Sequence, residues 1–136
     1  MRSEARILMV RHSEVPWEAL SESLRTLGVD PCRARNCDEA GRLIQKLAPE
    51  VVLCDRDLPD GSWQNVLQMA EVTGVPTSVI VVDQNDDVGL YLTAMQQGAY
   101  DYVAPPVTAS DLSYILRCAA EDARLRRAGR AHMPAA

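Results

Sequence analysis

Short apolar runs alternate along the chain with longer stretches in which apolar residues recur every three or four positions. Arg6–Val10 (RILMV) has the pattern of a buried strand, and Trp17, Leu20, Leu24 and Leu27 then trace one helical face that Gly28 stops. Val29–Ala34 reads as a weaker second strand. Asp38 is placed to cap a second helix whose Ala40, Leu43, Ile44 and Leu47 face inward, and which ends before Pro49. Val51–Cys54 is a third strand, closed by the turn-rich Leu58-Pro59-Asp60-Gly61-Ser62. Ser62 is a cap for a third helix carrying Val66, Leu67 and Ala70, stopped at Gly74. Ser78–Val82 is a very apolar fourth strand, Asp86–Gln97 a fourth helix ended by Gly98, and Tyr100–Val103 a fifth strand before Pro105-Pro106. Ser110 or Asp111 opens a last helix with Leu112, Ile115, Leu116, Ala119 and Leu125 on its inner face.

Five strands alternating with five helices, short connections and continuous apolar strands predict a parallel sheet covered on both faces. Right-handed crossovers leave few topologies, and the order 2-1-3-4-5 of a flavodoxin-like (βα)5 three-layer sandwich is the expected one. Residues 1–127 are expected to form the domain and 128–136 a flexible, small-residue tail. Chemistry in such sheets gathers at the carboxyl ends of the strands, beside the switch point between the first and third. That rule selects Arg11 and His12, Asp55 to Gly61, Asp83, and the Val103–Pro106 turn.

Composition narrows the function classes. The chain has 136 residues, 47% apolar and 24% charged, which is the balance of one globular domain. With two Trp, four Tyr and no Phe, its core must be aliphatic. Fourteen Lys+Arg against nineteen Asp+Glu give a net charge of −5, a poor match to phosphate backbones, so no nucleic-acid binding by this domain is expected. No apolar run approaches the roughly 18 residues of a membrane span, and Met1–Val10 lacks the apolar stretch of a signal peptide, so a soluble cytoplasmic protein is expected. Cys32, Cys37, Cys54 and Cys118 are scattered and read as free thiols, since Cys32-x4-Cys37 has no second ligand pair.

Asp55 follows the apolar Val51-Val52-Leu53-Cys54 strand and opens Asp55-Arg56-Asp57-Leu58-Pro59-Asp60-Gly61. This segment resembles the phosphoacceptor segment of the response regulator receiver (CheY-like) domains of two-component phosphorelay signalling. Gln97-Gly98-Ala99, Tyr100-Asp101-Tyr102-Val103, Pro105-Pro106-Val107 and Asp111-Leu112 are similar to that family's helix-to-strand turn, fifth strand, cis-proline turn and last helix. The likeness spans roughly Arg6 to Arg127. It implies metal-assisted phosphoryl transfer onto Asp55, an acidic pair holding Mg2+ after the first strand, a hydroxyl after the fourth and a lysine after the fifth. It also implies a switch aromatic at Tyr102 and a cis-proline at Pro106.

The sequence keeps the acceptor and departs elsewhere. The acidic-pair positions are Arg11 and His12, the Thr/Ser position is Asp83, and the lysine position is Pro105. A fixed guanidinium opposes a divalent cation by a few kcal/mol at an effective dielectric of about 20. Mg2+ binding is therefore expected to be weak or absent, with no metal site beyond a weak acidic one at Asp55 and Asp57, and no cofactor. Asp83–Asp87 (DQNDD) superficially resembles a calcium loop but lacks its glycine and distal Glu, and reads as a capped helix start. Two readings of Arg11 stand: an Arg11–Asp55 salt bridge, extending to Asp83, that locks the loop without phosphate, or a side chain in solvent. His12 reads as a pH sensor or as an exposed replacement residue. Asp60-Gly61-Ser62 reads as turn and cap rather than nucleophile.

The expected function is an atypical receiver, not an enzyme, with no catalytic residues of its own, that acts through regulated protein–protein contact. The alternative is a working phosphoacceptor phosphorylated on Asp55 by a histidine kinase, and a more distant one is a flavodoxin-like small-molecule-binding protein or enzyme. The last lacks a Gly-rich phosphate loop at Arg11–Pro16. Expected partners are a signalling protein such as a histidine kinase or an effector domain, and a second copy across the fourth helix, fifth strand and fifth helix. Candidate contacts there are Leu90, Tyr91, Ala94, Tyr114 and Arg117, while Arg117, Arg124, Arg126 and Arg127 mixed with Glu121 and Asp122 read as a solvated or self-associating face. Nothing after the fifth helix forms a helix-turn-helix, so contact alone would carry output, unless the basic Arg124–Arg130 end leads into an effector domain.

Overall fold

The computed structural model describes residues 5–131. Its sheet is built from β1 (Ile7–Val10), β2 (Cys32–Ala34), β3 (Val51–Asp55), β6 (Ser78–Val82) and β7 (Asp101–Val103), all parallel, in the order β2-β1-β3-β6-β7. With the small hairpin of β4 (Asp57–Leu58) and β5 (Gly61–Ser62) set aside, this is the 2-1-3-4-5 order expected from the sequence. The helices are α1 (Val15–Thr26), α2 (Cys37–Leu47), α3 (Trp63–Val72), α4 (Val88–Gln97) and α5 (Ala109–Ala131).

Alternation along the strands sorts the core into two layers. Leu8, Val10, Val52, Cys54, Val79 and Val81 face α2, α3 and α4, where Ala40, Ile44, Val66, Leu67, Ala70 and Ala94 meet them. Ile7, Met9, Val51, Leu53, Ile80 and Val82 face α1 and α5, against Trp17, Leu20, Leu24, Leu112, Leu116 and Ala119. β1, β3 and β6 are buried on both faces, which is why they read as unbroken apolar runs. Gly98, at φ +106°, ends α4 in the left-handed region that a side chain resists.

Several boundaries moved. α2 is capped not by Asp38 but by Asn36, whose side chain accepts the Glu39 N–H, and by Asp60, whose carboxylate accepts the N–H groups of Cys37 (2.7 Å) and Asp38 (3.1 Å). Asp38 instead pairs with Arg42 at 2.8 Å, one turn on. α4 begins at Val88 with Asp87 as its cap, two residues after the expected start. β2 is three residues long rather than six. Leu125, placed on the inner face by spacing, is exposed because it lies on the side of α5 opposite the buried Leu116 and Ala123. α5 continues to Ala131, four residues into the stretch expected as tail, and residues 132–136 lie outside the described ones.

That extension is held by Arg124 and Arg127, two of the arginines read from the sequence as a solvated or self-associating face, and by Arg130. Arg127 is half-buried and donates to the carbonyl oxygens of Pro76 (2.8 Å), Pro49 (2.9 Å) and Ala48 (3.1 Å). Burial, with Arg126, Arg124 and Arg6 nearby, lowers its pKa despite Glu50. Arg130 donates to the Gly74 carbonyl, and Arg124 to Glu50 at 3.2 Å. These groups sit on the loops entering β3 and β6, at the end of the sheet opposite the strand carboxyl ends.

Candidate functional site

The carboxyl ends of β1, β3 and β6 bring Arg11, His12 and Ser13, then Asp55 and Arg56, then Asp83 to one edge of the sheet. Asp55 is the last residue of β3 and is only 4% exposed. Its Oδ2 accepts the backbone N–H groups of His12 and Ser13, each at 2.8 Å, and the Ser13 hydroxyl lies 2.9 Å from both carboxylate oxygens. The loop between β1 and α1 thus closes over the carboxylate as a small anion cradle. A buried carboxylate needs such donors, and here they come from the chain itself.

Arg11 does not take part. Its backbone N–H bonds the Ala34 carbonyl at 3.0 Å, and its guanidinium turns back along α1 to lie 6.0 Å from the ring centroid of Trp17 and 3.4 Å from the Ser21 hydroxyl. Neither reading of Arg11, the Asp55 ion pair or a side chain in solvent, is what the structure has: the guanidinium makes a cation–π contact on a fully buried indole. His12 supplies its N–H to Asp55 while its own residue is exposed.

The cation of the site is Arg56, to which sequence reasoning gave no role. Its Nη1 lies 3.5 Å from Asp83 Oδ2 and 3.7 Å from Asp87 Oδ2, and its Nε 4.0 Å from Asp57 Oδ2. Asp83 is 5% exposed; its Oδ1 accepts the Gln84 N–H at 2.8 Å and its Oδ2 the Tyr102 hydroxyl at 2.8 Å. The Tyr102 hydroxyl also touches the Asn85 carbonyl and accepts the Asp87 N–H at 3.0 Å. Burial, reinforced by Asp83, pushes the Tyr102 phenol up to about 12 even though the Asp87 N–H favours its anion.

Asp57 is exposed on the hairpin beside the site, and Asp60 faces away from it to cap α2, which holds the Asp60 carboxyl below its usual range. Pro105 stands where no cation can be offered, and its peptide bond to Pro106 is cis. Among the described residues no three His, Cys, Asp or Glu side chains gather as a metal would require. The four cysteines are free; burial pushes the Cys37 thiol up to about 11 and Cys54 well above its ordinary value.

Ser13 and Arg56 are the two residues that reading the sequence missed. A hydroxyl following the first strand's end, next to the third strand's terminal carboxylate, was the signal for Ser13. For Arg56 it was a lone cation in Asp55-Arg56-Asp57 opposite the acidic Asp83–Asp87.

With this geometry in place, comparison with known proteins is decisive: residues 7–117 match the response regulator receiver domain. The chain belongs to that family. The receiver is 29% identical over 109 residues to the response regulator protein PilR of Pseudomonas aeruginosa, a match covering 80% of this chain and 24% of PilR. It is 27% identical over 133 residues to the transcriptional regulatory protein TrcR of Mycobacterium tuberculosis, covering 98% of this chain and 50% of TrcR. The receiver thus spans a quarter to a half of those relatives. A solved receiver domain from Clostridium thermocellum superposes with a TM-score of 0.76 at 25% identity, over 90% of this chain and 98% of that one. Among the described residues of the receiver, no helix is long and apolar enough to cross a membrane.

Proposed function

We propose that this receiver is an atypical one, working as a phosphate-independent interaction module of two-component signalling. The observation that carries the reading is the Asp55 carboxylate, buried and already bonded by two N–H groups and one hydroxyl from the β1–α1 loop. Phosphoryl transfer to a carboxylate depends on positioning and on neutralising the incoming charge. Here the positions of the acidic pair that would hold Mg2+ carry Arg11 and His12, the position of the phosphoryl-binding hydroxyl carries Asp83, and the lysine position carries Pro105. The residues present do not suit a divalent cation: Arg56 takes the place of one among Asp57, Asp83 and Asp87. No cofactor is needed for the proposed role.

Output then runs through protein contact. α4 presents Val88, Tyr91, Leu92 and Met95 as an exposed apolar stripe, and with Tyr114 of α5 these favour a homodimer or a docked signalling partner across α4, β7 and α5. Of the contacts expected there, Ala94 is fully buried and drops out. A histidine kinase or an effector domain is the partner class, in the cytoplasm, with nucleic acid contacted only through such a partner.

The second reading, a working phosphoacceptor, draws support from the place of Asp55 at the end of β3, next to the sheet's switch point. Incubation with Mg2+ and acetyl phosphate, with Asp55→Ala as control, separates the two by intact mass. The expected result is no gain. A gain of one phosphoryl group that Asp55→Ala abolishes overturns the proposal in favour of the second reading.

A further inference from the structure

Tyr102 holds more of the site together than its place on an edge strand requires. Its ring is buried, packed edge-on to Tyr91 of α4 with centroids 6.2 Å apart at 76°. Its hydroxyl reaches the Asp83 carboxylate at the end of β6, contacts the Asn85 carbonyl in the following loop, and receives the N–H of Asp87, the cap of α4. One phenol oxygen therefore joins three successive parts of the β6–α4 connection. Arg56, next to the acceptor position, bridges Asp83 and Asp87 from the other side.

We infer that the Asp83 carboxylate and the Tyr102 hydroxyl form a latch that keeps the ring inward and pins the first turn of α4. The α4 face then presents one form whatever the state of Asp55. The charge at Asp83 is what makes the latch firm. A phenol donating to a carboxylate makes a charge-assisted bond, stronger than the neutral bond that a hydroxyl at this position would offer. Swinging the ring outward would strip a donor from a buried anion and leave the Asp87 N–H and the Asn85 carbonyl to find new partners in the same step. The Val88, Tyr91, Leu92 and Met95 stripe lies on the helix so held, and no charged side chain interrupts Val88–Gln97. A partner meets an apolar surface whose placement the latch sets. The inference deepens the interaction-module reading and rests on it only for the claim that phosphate does not release the ring.

Hydrogen exchange read by mass spectrometry on the full chain tests this, comparing the natural sequence with Tyr102→Phe and Asp83→Asn. Tyr102→Phe keeps the ring and removes the hydroxyl; it is expected to raise exchange in peptides spanning 86–94 by about tenfold while β1 and β3 stay protected. Asp83→Asn keeps the shape and an acceptor without the charge, and is expected to raise exchange in the same peptides by a smaller factor. Exchange over 86–94 that is unchanged in Tyr102→Phe overturns the latch, as does an Asp83→Asn chain indistinguishable from the natural one. Mg2+ with acetyl phosphate is expected to leave that exchange as it was. If Asp55 takes up a phosphoryl group and 86–94 stay protected, the module reading fails and the latch stands. If uptake opens 86–94, the latch itself is overturned.

Discussion

Ser13→Ala removes one hydroxyl from the Asp55 cradle and leaves the N–H groups of His12 and Ser13 in place. The hydroxyl stands 2.9 Å from each carboxylate oxygen, so a single shared bond to a charged acceptor is lost. Hydrogen bonds to charged groups contribute about 1.5–3 kcal/mol. Asp55 is 4% exposed, so water replaces the hydroxyl poorly; the two surviving N–H bonds keep the charge partnered, which places the cost near the lower end, about 1.5–2 kcal/mol. For a chain of 136 residues that corresponds to a fall in Tm of about 5–7 °C. Urea unfolding followed by the fluorescence of Trp17 and Trp63, both buried, reads the change as a lower midpoint at constant slope. The cost should vanish in an Asp55→Ala background, because the hydroxyl then has no anion to serve. Ser21→Ala, which loses only a 3.4 Å contact with Arg11, should stay within about 0.5 kcal/mol. A Ser13→Ala chain as stable as the natural one, or a penalty that persists without Asp55, refutes the cradle.

Other expectations follow from the same geometry. Arg127→Ala strips one guanidinium from three carbonyl oxygens and should cost about 2 kcal/mol in urea unfolding, with Arg127→Lys recovering little because an ammonium cannot span them. Arg56→Gln should cost no more than about 1 kcal/mol, since its ion pairs are 3.5–4.0 Å long and its side chain is 41% exposed. In an alkaline titration followed by tyrosinate absorbance, Tyr102 should ionise near 12 in the folded chain; its raised pKa means that the stabilisation is complete below the ordinary tyrosine value near 10 and is lost as pH climbs through 12. Asp60 has the opposite sign: its lowered pKa stabilises the chain above the ordinary value of 3.8, and Asp60→Asn should lessen the acid sensitivity of unfolding. Ellman's reagent at pH 8 should label exposed Cys32 rapidly and buried Cys54 only on unfolding.

The parts of the fold that were legible in the sequence are those where one local signal decides. Ser78–Val82 is a strand buried on both faces, so its apolar run has the element's own bounds; Ser62 and Gly98 stand at a cap and a left-handed stop where few residues serve. The misassigned parts were decided by partners remote in the chain. Asp38 has cap chemistry, but the α2 N–H groups are taken by Asn36 and by Asp60, twenty-two residues beyond Asp38. The hairpin of β4 and β5 has only two residues a side, too few to leave a period. At the site, the identities at Arg11, His12, Asp83 and Pro105 could be read from the strand ends, but not where Arg11 points. A guanidinium on a long stem reaches Asp55 or Trp17 equally well, and the buried indole face decided it.

The arginines of α5 give that helix a mechanical character. Its 23 residues measure about 35 Å at 1.5 Å per residue. Near one end, the loop leading into it is pinned to α1 through the Ser23 hydroxyl and the Val107 carbonyl, 2.7 Å apart. At the other end, Arg127 and Arg130 grip the loops that feed β3 and β6. The helix is a strut fastened along its length as well as at its poles: Leu112, Leu116 and Ala119 pack on the sheet and the Ser78 hydroxyl donates to the Ala119 carbonyl at 2.7 Å, so one element ties α1 to the loops from which the central strands begin.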